Sequence, residues 1–315
     1  MTRSQRDGLL LIITSATGYS FFSIFTKIVY DNGMGNPLDI LTWRFVLAAP
    51  LAWLYILVSR SKSSADEPTP IPRVKLLAVG VLFGVVATLA FYALERLPVS
   101  LYTVLIYTYP AMVALGSLLF GERLSGRGWF ALGLTLIGVA LTVPNIFKGF
   151  EGVDPLGVIL VLGNAASYAA YILLSGRLLR GARNLTSASV WSITGSLLFV
   201  VLVTGIRFAG ESGPLPPPNI GVWVGLAGLI LISTILPIIT FYAGLNRLGA
   251  ARAAIVSMIE PVLTLIWAVL LRGETLSSIQ IIGGLLILFS VVLLNMRQRS
   301  ESDITATLSA SLASD

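Results

Sequence analysis

Ten apolar windows, each about as long as a membrane-spanning helix, divide this chain of 315 residues. A bilayer core of roughly 30 Å needs about 20 mostly apolar helical residues to cross it. The windows lie near residues 8–29, 37–58, 74–94, 98–120, 126–144, 155–176, 186–208, 220–244, 250–271 and 277–295. The sequence therefore predicts an all-α integral membrane protein with ten transmembrane helices.

Composition supports lipid as the solvent and excludes most classes of enzyme. Hydrophobic residues make up 56% of the chain and charged residues only 11%, against about 25% charged residues in a soluble domain. Histidine and cysteine are both absent, which rules out Ser-His-Asp and Cys-His catalytic sites, zinc clusters and disulfides. The chain also has no glycine-rich phosphate loop. We therefore expect a protein that is not an enzyme, with no catalytic residues, no metal and no cofactor.

Lysine and arginine are distributed unevenly over the segments between the windows. With a cytoplasmic N-terminus, the outer segments hold Arg96, Lys148, Arg207 and Arg272, whereas the inner segments hold fifteen such residues. This bias predicts a multi-pass protein of the cell (inner) membrane with both termini in the cytoplasm. Inner loops beside anionic lipid also explain the net charge of +6, so no nucleic-acid partner is needed.

Two stretches half a chain apart share the same motifs in the same order. Residues 91–125 and 241–277 both carry Phe-Tyr-Ala, an Arg-Leu pair, a mid-helix proline and then Gly-Glu-x-Leu-Ser. A second correspondence, at an offset of 149 residues, aligns Tyr19 with Tyr168. The chain is thus predicted to be two copies of a five-helix unit. Because five is odd, the second copy enters the membrane inverted, an arrangement common in secondary transporters.

The repeat sets the predicted organisation of the chain. Residues 1–144 form the first five-helix repeat and residues 145–154 an outer linker. Residues 155–295 form the second, inverted repeat. The Ser/Ala-rich segment 296–315 has no hydrophobic periodicity and is predicted to be a disordered cytoplasmic tail.

This plan and its motifs resemble the EamA branch of the drug/metabolite transporter superfamily. The matching motifs are Trp43-Arg44-Phe45 in the second span, Glu260-Pro261 in the ninth span and Gly273-Glu274 after it. The resemblance covers about residues 8–295. It implies a ten-helix bundle whose central cavity is lined mainly by spans 1, 3, 4, 6, 8 and 9, and the export or exchange of small metabolites, often amino acids. One departure is Tyr19-Ser20, where many members have Trp-Gly.

Polar and aromatic side chains share single faces of several apolar helices. Positions separated by three, four and seven residues lie on one helical face. Such faces avoid lipid, so they either line a wet cavity or hydrogen-bond neighbouring helices. The predicted substrate-binding residues are Ser15, Tyr19, Phe22, Tyr92, Tyr109, Asn164, Tyr168, Tyr171, Tyr242 and Ser257.

Glu260 places a carboxyl group near the predicted midplane of the ninth span. A charge there costs at least ~2.5–3.5 kcal/mol unless it is paired, hydrated or neutralised. Its repeat partner is Tyr109, so the symmetry does not account for it. Two interpretations follow. Glu260 carries a proton or pairs with a cationic part of the substrate, or it fixes helix packing beside Pro261 as a protonated or ion-paired residue.

Two cations also lie inside predicted spans. Lys27 and Arg44 could receive a substrate carboxylate, or they could pair with Glu260 or Asp39. Lys27 lies near the outer end of its span, from which a lysine can extend to the surface. Arg44 lies deeper, and its presence throughout the family favours a structural pairing.

Pro110 and Pro261 occupy equivalent positions in the fourth and ninth spans. Each proline removes a backbone N–H and kinks its helix, which frees a carbonyl group at mid-depth. We predict that both act as hinges beside the cavity.

These features predict a secondary active transporter, an exporter or exchanger of small organic metabolites that works by alternating access. Amino acids are the favoured substrates. An exporter of cationic drugs or quaternary ammonium compounds, with Glu260 as counter-charge, is the alternative within the class. A channel or a membrane sensor or scaffold is the alternative from another class. The predicted partners are a small-molecule substrate, the lipid bilayer and protons as the candidate coupling ion; the oligomeric state stays open.

Overall fold

The described part of the chain is built from helices joined by short turns. The computed structural model describes residues 3–59, 72–94, 96–97, 99–122, 124–143, 154–180, 182, 184–207, 213–273 and 275–294. All regular structure in these ranges is helical. The predicted tail, most of the linker and the loop at residues 60–71 lie outside the described residues.

Fourteen α-helices form the bundle in the described ranges. In the first half these are α1 (Arg3–Ser20), α2 (Phe22–Asp31), α3 (Pro37–Ser59), α4 (Arg73–Leu94), α5 (Val99–Ile106), α6 (Tyr109–Leu118) and α7 (Gly126–Thr142). In the second half they are α8 (Pro155–Leu178), α9 (Leu185–Arg207), α10 (Ile220–Ile230), α11 (Leu236–Leu248), α12 (Ala250–Ser257), α13 (Glu260–Arg272) and α14 (Ser278–Leu294). A π-helical turn, Leu231–Ile235, joins α10 to α11.

These helices combine into ten spans. The first, fourth, eighth and ninth spans each consist of two α-helices in series, α1–α2, α5–α6, α10–α11 and α12–α13. Eight stretches are long and apolar enough to cross a bilayer, and α7 and α14 are shorter apolar helices. The prediction of an all-α, ten-helix membrane protein is therefore confirmed.

Equivalent contacts recur in the two halves of the bundle. α1 packs on α11, and α8 packs on α4. A Cβ atom added to Gly8 would lie 2.8 Å from the Cβ of Arg247, and one added to Gly157 would lie 3.0 Å from the Cβ of Arg96. Arg96 and Arg247 belong to the two Arg-Leu pairs of the repeat. The same packing is thus made twice, once in each orientation, as an inverted repeat requires.

The Gly-Glu-x-Leu-Ser motif forms the turn between two spans. Gly121 and Gly273 have φ angles of 76° and 65°, a left-handed region that glycine enters without steric cost. Ser125 Oγ accepts a hydrogen bond from the backbone N–H of Gly128 and caps α7. Ser277 Oγ accepts from the N–H of Gln280 at the start of α14. The motif therefore ends one span and begins the next.

α4 and α9 pack backbone against backbone. A Cβ atom on Gly80 of α4 would collide with the Ser192 carbonyl oxygen and would lie 2.9 Å from Gly195 Cα. A Cβ atom on Gly195 of α9 would collide with the Leu77 carbonyl oxygen. Ser196 Oγ donates to the Gly80 carbonyl at 2.8 Å. We call this contact the glycine seam; small residues of this kind allow close helix association in lipid.

Ion pairs connect both ends of α8 to residues that flank the fourth span. Arg96 lies 3.0 Å from Asp154, which caps the start of α8, and Arg180, just beyond the end of α8, lies 2.7 Å from Glu122. The hydrogen bond from Arg96, with the backbone N–H of Leu156, holds the pKa of Asp154 below its usual value. Because both pairs are partly exposed, they contribute little stability. They connect the two ends of α8 to the residues before and after the fourth span.

Candidate functional site

Four spans are interrupted along the described chain, and all four belong to the group expected to line the cavity. The first span breaks at Phe21, the fourth at residues 107–108 and the ninth at residues 258–259, and the eighth contains the π-helical turn. Pro110 and Pro261 are each the second residue after their break. An interrupted helix leaves backbone groups available to side chains or ligands. Whether either proline acts as a hinge stays a prediction.

Glu260 is the first residue of α13, directly after the break in the ninth span. Glu260 is partly exposed within the bundle. The start of a helix carries partial positive charge, which favours an acidic group. Among the hydrogen bonds and ion pairs of the described residues, none involves its carboxylate; only its backbone carbonyl accepts a bond, from Thr264 Oγ1 at 3.0 Å. The carboxylate is therefore available to a ligand.

Tyrosines from three spans lie near this carboxylate. Five tyrosine hydroxyl groups interact with it electrostatically, those of Tyr19, Tyr102, Tyr107, Tyr109 and Tyr168. Three of them were predicted site residues. Tyr102 and Tyr107 were missed, although Tyr102 lies seven residues before Tyr109 and so shares its helical face, a signal that the sequence did contain.

The aromatic rings continue from this cluster towards the eighth span. Ring centroids are 4.6 Å apart for Tyr109 and Tyr168, 6.0 Å for Tyr168 and Tyr171, and 6.2 Å for Tyr171 and Tyr242. Tyr242 donates its hydroxyl proton to Ser192 Oγ at 2.8 Å. Four predicted site residues therefore form one continuous row of ring contacts. Their arrangement offers a ligand several π faces and hydroxyl groups.

Other predicted site residues lie elsewhere or use their polar groups within the protein. Ser15 Oγ donates to the Pro237 carbonyl at 2.9 Å, and Ser257 Oγ donates to the Ala253 carbonyl at 2.8 Å. Tyr92 packs, partly buried, against the main hydrophobic core. Contacts of this kind, within a helix or between helices, are the alternative to cavity lining that the sequence left open.

Arg44 is held by the π-helical turn of the eighth span. Its Nε donates to Thr234 Oγ1 at 2.6 Å, and its Nη2 donates to the Ser233 carbonyl at 2.9 Å. The guanidinium group also lies 5.0 Å from the centroid of the Phe22 ring. Since a π turn displaces backbone groups from their regular helical partners, it offers the acceptors that a buried cation needs.

The cations and carboxylates of the sequence prediction are not joined as ion pairs. In the described structure Arg44 bonds a hydroxyl and a carbonyl rather than Glu260 or Asp39. Tyr19 interacts electrostatically with both Arg44 and Glu260. Lys27 is exposed on α2. A carboxylate and a guanidinium group therefore both lie in the neighbourhood of Tyr19.

Replacing Arg44 by lysine is expected to lower thermal stability in detergent, although the charge is kept. Lysine cannot reproduce the planar fork that reaches both Thr234 and Ser233. Hydrogen bonds that involve a charged group contribute about 1.5–3 kcal/mol each, so a fall of Tm by several degrees is expected. Arg207→Lys, at the exposed end of α9, is the matched control. Equal Tm values for the two variants would contradict the assignment.

A cavity of about 390 Å³ lies at the ends of α8 and α11 and the start of α12. Charged residues on its wall are Glu122, Arg180, Arg247 and Arg252. These arginines belong to segments that the charge bias assigns to the cytoplasmic side. The cavity therefore lies at the end of the bundle for which the sequence predicts a cytoplasmic location.

Comparisons with known proteins agree with this architecture. The model of the EamA-like transporter family matches residues 6–143 and again residues 155–296. One crystal structure superposes with a TM-score of 0.76 over 93% of this chain and 98% of that chain, at 20% sequence identity, which bears on the fold alone.

Several relatives are named as transporters. The transporter YcbK of Bacillus subtilis is 27% identical, over 89% of this chain and 90% of its own length. A "probable amino-acid metabolite efflux pump" of Salmonella typhimurium is 28% identical, over 90% and 93% of the two chains. The threonine/homoserine exporter RhtA of Escherichia coli K12 is 29% identical, over 67% of each chain. With both halves matched by the family model, the chain belongs to the EamA-like transporter family.

Proposed function

We propose that this transporter is a secondary active carrier that exports or exchanges amino acids or similar small metabolites by alternating access. The observation that carries the proposal is the unpaired Glu260 carboxylate at a helix break, with tyrosine hydroxyl groups near it. A carboxylate inside a membrane-spanning bundle with no protein partner is stabilised by a proton or by a cationic ligand. Such a group suits a carrier that couples substrate movement to protons.

A zwitterionic substrate fits the two charges near Tyr19. Its ammonium group would lie against Glu260, and its carboxylate on the side of Arg44, which keeps its positive charge while it bonds Thr234 and Ser233. The names of the amino-acid efflux pump of Salmonella and of the threonine/homoserine exporter support amino acids as the first substrates to test.

A carrier of permanent cations is the second candidate. Tyrosine π faces attract quaternary ammonium groups, and the row from Tyr109 to Tyr242 presents several of them beside Glu260. In this case Glu260 would act as the counter-charge and Arg44 would have no substrate group to bind.

We propose that the protein lies in the inner membrane of the cell. In the proposed orientation, both termini and the arginine-lined cavity face the cytoplasm. Fifteen of nineteen assigned basic residues would then lie on the inner side, as the positive-inside rule requires. Export would begin at this cavity, and the breaks before Pro110 and Pro261 would provide the hinges.

The test is uptake of labelled amino acids, including threonine and homoserine, by proteoliposomes with and without an imposed pH gradient. We expect saturable uptake that the gradient accelerates, and faster uptake when unlabelled substrate is preloaded. A channel would show no such acceleration by preloading. Uptake no faster than in empty liposomes would overturn the amino-acid assignment, whereas uptake of quaternary ammonium compounds alone would support the second candidate.

A further inference from the structure

Asn164 of α8 has a buried amide oxygen without a partner. In the described residues six buried side-chain atoms lack a hydrogen bond, and three of them are Asn164 Oδ1, Tyr171 OH and Ser175 Oγ on α8. Tyr171 and Ser175 both lie within reach of the Tyr242 hydroxyl group, which can satisfy them. Asn164 has no such neighbour for its Oδ1, and the residue is only 1% exposed. Because an unsatisfied buried polar group is costly, this oxygen is a candidate acceptor for a ligand.

Asn164 connects α8 to the Glu260 cluster. Its Nδ2 donates to the Tyr102 hydroxyl oxygen at 2.9 Å, which leaves its Oδ1 as the unpaired acceptor. Tyr102 also interacts electrostatically with Glu260. One turn further along α8, the Tyr168 ring packs 4.6 Å from that of Tyr109, which interacts with the same carboxylate. The amide therefore bonds a tyrosine of the fourth span, Tyr102, that also interacts with the carboxylate.

Two groups of this cluster, the Glu260 carboxylate and the Asn164 amide oxygen, are acceptors, and they favour a ligand that donates hydrogen bonds. A carboxylate and an amide oxygen both need hydrogen-bond donors, and a primary ammonium group supplies three N–H donors. A quaternary ammonium group supplies none, and would leave the Asn164 oxygen unsatisfied. Its attraction would come only from charge and from the ring faces.

We propose that Asn164, oriented by Tyr102, forms with Glu260 a subsite that accepts the N–H protons of a substrate ammonium group. This inference rests on the proposed function and assigns its substrate class. The subsite selects primary amines over their fully N-methylated counterparts. Asn164 is thus a specificity-determining residue, and Tyr102 is a positioning residue that turns the amide oxygen towards the ligand.

The experiment compares two ligands that differ only in N-methylation, threonine and N,N,N-trimethylthreonine. Each is tested as a competitor of labelled amino-acid uptake and as a ligand that raises Tm in detergent. The wild-type protein should prefer threonine by about 10- to 100-fold, because sites built for hydrogen bonds strongly reject analogues that lack the donor. In Asn164→Leu this preference should fall to near unity through weaker binding of threonine alone. Tyr102→Phe should give an intermediate preference.

Thr88→Val is the matched control, because Thr88 Oγ1 on α4 is another buried hydroxyl without a partner. Thr88→Val removes only an unsatisfied group, so its unliganded Tm should equal or exceed that of the wild type. Asn164→Leu also loses the hydrogen bond to Tyr102, so its Tm should fall by a few degrees, and a cooperative unfolding transition shows that it folds. The control should keep the wild-type preference.

Equal affinity of the wild-type protein for both ligands would overturn the inference, as would an unchanged preference in Asn164→Leu. In both cases continued amino-acid uptake would leave the proposed function standing. Absence of uptake and of any Tm shift with amino acids would instead overturn the proposed function, and the subsite with it.

Discussion

Replacing Glu260 by glutamine is expected to abolish the acceleration of uptake by a pH gradient. Glutamine keeps the size of the side chain and its place at the start of α13, but it cannot take up or release a proton. We expect gradient-driven uptake to fall to the rate measured without a gradient, a loss of at least about tenfold if proton transfer is coupled to each cycle. The measurement is initial uptake in proteoliposomes over a range of outside pH values.

Asp31→Asn is the control for this variant. It makes the same chemical change at the exposed end of α2, so it should keep the wild-type response to pH. Exchange of substrate without a gradient separates coupling from binding in Glu260→Gln. If this variant transports with the wild-type pH dependence, Glu260 is not the proton carrier and its role is structural.

The largest loss of stability is expected from an added methyl group in the glycine seam. In Gly195→Ala the new Cβ would collide with the Leu77 carbonyl oxygen and would lie 3.0 Å from Gly80 Cα. Both neighbours are backbone atoms of α4, so the helices must separate. Overpacking typically costs about 1–3 kcal/mol and occasionally more. Here the shift also breaks the Ser196–Gly80 hydrogen bond.

Gly205→Ala provides a control on the same helix. No atom would lie within 4 Å of its new Cβ, and alanine favours the helix over glycine by about 0.5–1 kcal/mol. The two identical substitutions should therefore shift Tm in opposite directions, Gly195→Ala downwards by several degrees and Gly205→Ala slightly upwards. A Gly195→Ala protein with wild-type Tm would show that α4 and α9 are not in backbone contact.

Much of the fold was predictable because membranes impose simple rules on sequence. The length of an apolar run fixes a span, and the repeated proline and Gly-Glu-x-Leu-Ser motifs fix where helices break and turn. The π-helical turn and the break at Phe21 were not predicted. Neither has a proline inside it, and Pro237 follows the π turn in α11 with no distinguishing pattern around it.

The site was partly predictable for a related reason. Helical periodicity predicted Tyr19, Tyr109 and Tyr168 as site residues. All three interact electrostatically with Glu260 in the structure. The partners of Arg44 were not accessible in this way. They are a hydroxyl and a carbonyl of a distorted turn about 190 residues away, and no side-chain pattern reveals a displaced carbonyl.

The glycine seam also constrains how the protein is made. α4 and α9 belong to opposite halves of the chain, so α4 enters the membrane well before its partner is synthesised. Lipid provides no hydrophobic force that would hide the exposed backbone of α4 during this interval. The first five spans therefore cannot complete their packing alone. The third span can reach its final packing only after the seventh span has been synthesised. Although each half of the chain matches the same family model, we expect the two halves to assemble as one unit.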